Sequence, residues 1–451
     1  MRSLLWVLIA GLVGAFTLGV AVAQDAPVVV EEDDLTSDAW HPIAYVTDAE
    51  DGPPQILSAG PGYGSPFPLS AGYNVGVLGP QGQSPMAWRP DGSQLAFVSD
   101  TGNASAVVLT TLQGETRVLA QGLPARAYAP QWSPSGSFLT VLAPEGAGMG
   151  LHLIQSADGR STRISSGAIQ RAVWAGNADV LAIVKSGGVE VWTPEQGQAL
   201  HVPGTESVGA RVSWSADGQL LAIDGVLAGG GKGVIVVRPA QGTKAEVGAG
   251  EAGLELVEMN PAREELLALR PVSAGRYHLV RFAPPWTNGE NLTTTVGPDF
   301  VTPESVTAES PLARYSPTGQ YVAFVAHPLD SMLARYLYIV RDGGTPVCVS
   351  EPVGVQTITW SRDGSRVAFT GRRGSVGRLS QSLFITAPTG GGYARLGTNV
   401  LAYEWAPAGD ALAYISPLSR SRRLALGVTS TATGELRWLS LGVLRASWYP
   451  R

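Results

Sequence analysis

The sequence has a single cysteine, Cys348, only five histidines, and few charged residues for its length. A lone thiol excludes an intrachain disulfide. Cys348 sits in the apolar run TPVCVS and is expected to behave as a small buried hydrophobe. His41, His152, His201, His278 and His327 form no H-x-x-H or H-E-x-x-H pair, the spacings that bring two imidazoles to one metal. There is no G-x-S-x-G nucleophile elbow. The run GGGKG (229–233) lacks the G-x-x-x-x-G-K-[ST] spacing of a phosphate loop and reads as a hairpin connection. Helix signals are scarce beyond residue 40. PAREELLALR (261–270) is the one short candidate, and the repeat described below makes it a strand. No catalytic residue, metal site or cofactor is expected from these patterns.

What is present is a chain of 451 residues, 44% hydrophobic and 15% charged, long enough to bury a large core and too apolar for disorder. Its 56 glycines and 32 prolines are spread evenly, the mark of a turn-rich all-β protein. Residues 1–23 join Arg2, an apolar run and the small-residue site Ala21-Val22-Ala23, which reads as a secretory signal peptide. The run is also long enough to serve as an uncleaved membrane anchor. Either way the remainder is expected outside the cytoplasm, secreted, periplasmic or held on the outer face of the membrane. Residues 24–39, with Asp25, Glu31, Glu32, Asp33, Asp34 and Asp38, read as an acidic stalk.

From there one phrase recurs. Its copies are WRPDGSQLAFVS (88–99), WSPSGSFLTVLA (132–143), WAGNADVLAIVK (174–185), WSADGQLLAIDG (214–225), MNPAREELLALR (259–270), YSPTGQYVAFVA (315–326), WSRDGSRVAFTG (360–371) and WAPAGDALAYIS (405–416). Self-similarity at intervals of 40 to 56 residues is the signature of a propeller or related array. In the general pattern a leading Trp (or Met259 or Tyr315) ends one strand, a polar or Gly-containing turn follows, and an apolar–Ala–apolar strand such as Val367-Ala368-Phe369 returns. The small Ala leaves room for an adjacent sheet. Behind the phrase lies a second hairpin, as in YLYIVRDGGTPVCVS (336–350) and SLFITAPTGGGYARLG (382–397), so each unit is a four-stranded antiparallel blade. IAYVTD (43–48), QILSAG (55–60) and PFPLS (66–70) supply three strands of a further blade, and ASWYPR (446–451) supplies its missing leading strand. The expected fold is a single all-β propeller over residues 40–451, closed by the C-terminal strand joining the first blade. Eight or nine blades are counted. The unit at 259–296 is the degenerate one, lacking the leading Trp and the turn Gly of the phrase and carrying one residue too many.

These phrases resemble the TolB-type repeat, a relative of the WD repeat. The strongest matches are W-R-P-D-G…L-A-F (88–97), Y-S-P-T-G…V-A-F (315–324) and W-S-R-D-G…V-A-F (360–369). The resemblance covers roughly residues 40–451 and implies the fold rather than a function. TolB proteins carry an additional α/β domain before the propeller, for which there is no counterpart here. Some TolB-like propellers are polyuronide lyases with a His-rich metal site. In this chain His327, in AHPLD after a second strand, would need ligands from other blades.

The repeated Asp is not read as catalytic, because its position holds Asp91, Ser135, Asn177, Asp217, Ala262, Thr318, Asp363 and Ala408 in successive copies. These are turn formers exchanged freely, whereas chemistry needs one fixed constellation. Charge is less evenly distributed. Residues 360–451 hold twelve arginines and four acids. Arg372, Arg373, Arg420, Arg422 and Arg423 follow the second strands of adjacent units and form the candidate anion- or partner-binding patch. The functional expectation is a non-enzymatic binding or scaffold module, expected as a monomer, for an envelope protein or an anionic polymer and not for nucleic acid. The alternative is a small envelope enzyme, a metal-dependent polysaccharide lyase or a glycosidase-like protein, with its site at the central channel.

Overall fold

The computed structural model describes residues 41–48, 53–60, 66–76, 84–206, 211–273, 276–293, 312–327, 335–350, 354–373, 380–417 and 423–450. Their strands form nine four-stranded antiparallel sheets, each built from strands in simple up-and-down order. The chain is therefore a nine-bladed propeller. The inner strands of the first to ninth blades are Val443–Trp448, Met86–Trp88, Tyr128–Trp132, Ile169–Trp174, Val212–Trp214, Glu255–Met259, Ala313–Tyr315, Val355–Trp360 and Ala402–Trp405. The expected closure is present. Val443–Trp448 pairs with Ile43–Thr47, setting Trp448 opposite Ile43 and completing the sheet that continues through Gln55–Ala59 and Phe67–Pro68. The described helices are two short 3-10 turns, Pro239–Gln241 and Val247–Gly250.

The repeated phrase is the hairpin between inner and second strands. In WSRDGSRVAF the Ser361 N–H donates to Arg366 O and the Gly364 N–H to Ser361 O. Gly364 takes φ +71°, a value that other residues reach only under strain. The Asp363 carboxylate accepts from the Ser361 hydroxyl at 2.7 Å and the Ser365 N–H at 3.0 Å. Asp91 and Asp217 make the same closure, so the repeated Asp is a turn former as expected. Two copies lack the glycine. There Val180 N–H donates to Ala178 O, and Glu265 N–H to Arg263 O, a tighter turn without a left-handed residue.

The wedge between neighbouring blades explains the Trp and the Ala. On eight of the nine second strands the residue after the one opposite the Trp or Tyr is small and buried: Ala44, Ala96, Thr140, Ala182, Ala222, Ala323, Ala368 and Ala413; in the sixth blade Leu267 holds the position. It lies beside the residue preceding the Trp, on the sheet face turned to the next blade. The next Trp packs there: Trp132 with Ala96, Trp214 with Ala182, Trp360 with Ala323, Trp448 with Ala413. Its indole N–H then donates to the carbonyl of the preceding blade's pre-Trp residue. The pairs are Trp132 to Ala87 (3.1 Å), Trp214 to Val173 (3.0 Å), Trp360 to Arg314 (3.2 Å), Trp448 to Glu404 (3.1 Å) and, more loosely, Trp88 to Ser447 (3.4 Å). Trp405 reaches the Thr359 hydroxyl instead, at 3.0 Å. The third blade breaks the pattern. Thr140 replaces the Ala, and its hydroxyl donates to Gln131 O at 3.3 Å, the carbonyl that Trp174 would otherwise use. The Trp174 indole N–H is buried without a partner.

One expectation is borne out and one needs correction. The unit at 259–296 is a full blade in which Met259 stands opposite Leu266, as Trp360 stands opposite Val367, and its extra residue is Leu267, which takes the place of the small residue and moves Ala268 one position on. The tighter turn absorbs the missing Gly. The junction of this blade with the seventh, where Tyr315 stands in place of a Trp, carries polar contacts: Asn260, fully buried, donates to Gly319 O at 3.3 Å, and Asp342 binds both Arg263 (2.6 Å) and Arg281 (2.5 Å). Cys348, expected buried, is exposed. It lies on the two-residue outer strand Val347–Cys348, which is paired on one side alone. PAREELLALR does enter a strand, Leu266–Ser273, as the repeat required.

Three outcomes follow. Trp214→Phe keeps the ring and removes the N–H, leaving the Val173 carbonyl without its partner, and is expected to cost about 1–2 kcal/mol in urea unfolding. Trp174→Phe loses no hydrogen bond and should cost clearly less. Thr140→Ala releases the Gln131 carbonyl to Trp174 and should be neutral or stabilising by up to about 1 kcal/mol, against the usual loss on truncating a buried side chain. Gly319→Ala drives a Cβ into the Asn260 carboxamide oxygen at φ +69°. It should cost more than Gly343→Ala, where φ is +67° with open space and the strain alone is about 1–2 kcal/mol.

Candidate functional site

Each inner strand is the last in its sheet's hydrogen-bond order, so one edge faces the axis with unpaired backbone groups. The residue after each aromatic pairs with its own blade, as Arg89 N–H does with Gln94 O and Tyr449 N–H with Pro42 O. The aromatic residue's own N–H therefore points to the free edge. At three junctions a side chain from the pre-aromatic position of the preceding blade caps it. Ser213 accepts the Met259 N–H at 2.9 Å. The Glu258 carboxylate accepts the Tyr315 N–H. The Glu404 carboxylate accepts the Trp448 N–H. A fourth contact comes from the fifth blade, where Asp224 accepts the Leu256 N–H at 2.6 Å and Arg211 donates to Leu256 O at 3.1 Å.

Three of these groups are carboxylates whose proton affinity is raised. Burial pushes Asp224 up to about 7, against the Leu256 N–H and Arg211, which favour the charged form. Burial raises Glu258 to about 7 although Arg314 stands 4.0 Å away. Glu404 is also raised to about 7 by burial, opposed by the Trp448 amide. Between the eighth and ninth blades the Tyr403 hydroxyl donates to Ala368 O (3.3 Å) and meets Thr357 (3.1 Å), which meets Thr370 (2.7 Å) in turn. Burial raises the Tyr403 phenol above its ordinary value. Perturbed acids near a channel often mark catalysis, but here each is hydrogen-bonded to the backbone of a neighbouring blade.

The histidines are dispersed. His41 meets Asp410 at 2.9 Å, His152 meets Glu145 at 2.9 Å, His201 meets Glu206 at 3.3 Å, and His278 meets Thr293 at 3.1 Å. His152 and His278 lie on third strands, as expected. His327 follows the second strand Tyr321–Ala326. Among the described residues no three His, Cys, Asp or Glu side chains gather in a way that could hold a metal ion. The run GGGKG is a hairpin connection closed by Leu227 N–H to Gly231 O, with Lys232 and Gly233 already in the next strand.

Of the candidate arginines, Arg372 and Arg373 end the second strand of the eighth blade rather than following it, opposite Gln381 and Ser380. Ladder pairing extends two residues further than the turn chemistry suggested. The Arg372 side chain is exposed. Arg423 is partly buried and immediately precedes the third strand of the ninth blade. Both ends belong to second-to-third-strand connections of adjacent blades, which open on the same face of a propeller. Arg420 and Arg422 lie outside the described residues. Other arginines of the same segment are already engaged: Arg366 donates to Thr431 O at 2.8 Å, Arg362 to Pro450 O at 3.3 Å, and Arg437 binds Glu435 at 3.0 Å. Sequence reasoning missed the capping set Ser213, Asp224, Glu258 and Glu404. For Ser213, Glu258 and Glu404 the available signal was a polar residue directly before the Trp or Met that ends an inner strand; Asp224, on a second strand, had no such signal.

No family model matches the chain, and no curated protein matches it. Solved structures do. A eukaryotic initiation factor is 14% identical, over 91% of this chain and 98% of that one, with a TM-score of 0.57. Dipeptidyl peptidase 4 of Porphyromonas gingivalis is 10% identical, over 79% of this chain and 59% of that one, with a TM-score of 0.59. TolB of Acinetobacter baumannii is 13% identical, over 95% of this chain and 89% of that one, with a TM-score of 0.35, and oligogalacturonate lyases are among the matches too. Likeness at these identities shows a shared β-propeller fold and leaves the activity open.

Proposed function

We propose that this protein is a non-enzymatic binding propeller working outside the cytoplasm. The observation that carries the reading is the use made of the axial acids. Asp224, Glu258 and Glu404, the groups best tuned for proton transfer, hold backbone N–H groups between blades and so belong to the scaffold. A general acid or base needs a free lone pair or proton aimed at a substrate. The extracytoplasmic address rests on the apolar run and Ala21-Val22-Ala23, which lie outside the described residues.

The binding surface is the face onto which the second-to-third-strand connections of the eighth and ninth blades open. Arg372 stands exposed there, and Arg423 borders the adjacent connection, with Arg373, Arg420 and Arg422 beside them in the chain. Guanidinium groups in that arrangement suit the carboxylates or phosphates of an anionic polymer or an acidic protein surface. Replacing all five arginines with Ser should weaken binding to a polyuronate by about tenfold or more, in a salt-dependent way, with the thermal unfolding midpoint unchanged. The checks are calorimetric titration at two salt concentrations and a parallel assay for polymer cleavage. Salt-insensitive binding that survives the substitutions counts against the patch. Cleavage that depends on one loop residue overturns the non-enzymatic reading.

A further inference from the structure

Among the described residues Leu401 is the most exposed large apolar side chain, at 59%. It does not lie on the rim. Phe67, Leu200 and Val347 sit on two-residue outer strands, Phe67 against Gly114 and Val347 near Gly390 of the following blades. Val272 belongs to the second strand of the sixth blade. Leu401 instead ends the connection that carries the chain from the outer strand of the eighth blade, Tyr393–Gly397, to the inner strand of the ninth, Ala402–Trp405. In an up-and-down sheet that connection opens on the same face as the second-to-third-strand connections.

The side chain stands on a fixed mount. Val400, fully buried with Leu383, Leu412 and Tyr414, anchors the connection from beneath. Val400 N–H donates to Gln381 O and Leu401 N–H to Ile415 O, both at 2.9 Å, and the Ser416 hydroxyl donates to Thr398 O at 3.1 Å. Asn399 takes φ +55°, which asparagine adopts more readily than most residues. Gln381 stands opposite Arg372 in the ladder of the eighth blade, and Ile415 and Ser416 lead into the connection bordered by Arg423. Leu401 is thus set between the two arginine-bearing connections. Its backbone lies within about 15 Å of that of Arg372, whose side chain is also exposed.

We propose that this surface docks an acidic polypeptide segment, with a carboxylate on Arg372 and an apolar or aromatic side chain covering Leu401. The inference rests on the reading of the arginine face as a binding surface and narrows its partner to a protein. Residues 360–451 hold twelve arginines against four acids, which sets the sign of the partner. A polyuronate answers that charge with a carboxylate on every sugar, but it brings no apolar side chain, so Leu401 stays wet against it. An acidic polypeptide supplies both groups. An extended segment advances about 3.3 Å per residue, so its acid and its apolar residue fall within about four or five positions of each other. The fixed mount adds to the fit, because a backbone already held in place loses little freedom on binding.

The test is calorimetric titration of the full chain with three probes of matched length: a polyuronate, poly-glutamate and a random glutamate–tyrosine copolymer. The copolymer should bind about tenfold more tightly than poly-glutamate, the gain expected from covering one largely exposed Leu. Leu401→Ser should remove that margin and leave poly-glutamate binding unchanged. Val347→Ser, which alters an exposed apolar residue at the rim, should leave the margin intact. Arg372→Ser should weaken the binding of both polypeptides. Equal binding of copolymer and poly-glutamate, or a margin that survives Leu401→Ser, overturns this inference and leaves the arginine face standing. Tighter binding of the polyuronate than of the copolymer does the same. Failure of all three probes to bind overturns the arginine face and this inference with it.

Discussion

The fold depends on filling the wedge between neighbouring sheets. Nine twisted sheets arranged about an axis diverge outward, and their inner strands each leave an edge unpaired. One device meets both demands: a Trp laid over a small residue of the preceding blade, with its indole N–H bonded to a carbonyl of that blade's inner strand. An apolar ring alone would fill the space without fixing its orientation. The N–H bond sets both the depth and the angle of the wedge.

Where the device fails, the exceptions follow from it. In the third blade a single hydroxyl on Thr140 takes the carbonyl and leaves the next indole unbonded. The inner strand of the sixth blade ends in Met259 rather than Trp; Ser213 and Asp224 hold it to the fifth blade, and Asn260 and an Arg–Asp–Arg bridge hold the blade to the seventh. Carboxylates thus enter the inner ring as structural groups. Their raised proton affinity is the electrostatic cost of serving backbone N–H groups in a confined space.

Much of this was legible in the sequence. The repeated phrase gave the blade, the turn residues and the closing strand, because side-chain identity alone decides which residues make tight turns and which fit a wedge. The coupling between blades was not legible, because the acceptor for each indole is a backbone carbonyl that any residue supplies. Ala87, Val173 and Arg314 serve alike. Glu258 and Glu404 were unremarkable acids until their partners were known. The exposure of Cys348 was hidden for the opposite reason: TPVCVS has the composition of a buried strand, and only its place at the rim decides otherwise. The arginine cluster was readable as charge but not as geometry, since Arg372 proved to be part of a ladder.

The pairing of Trp448 with Ile43 also bears on how the chain comes to be folded. Every other ladder joins strands close in sequence, so eight blades can assemble in order as the polypeptide emerges. The first blade waits, short of its inner strand, until the strand made last among those described arrives. Until then the array is open, with two bare sheet faces at its ends. Completion of the ring is the step of greatest loop closure and the natural rate-limiting event. The same bare faces make the open array the species most exposed to misassembly.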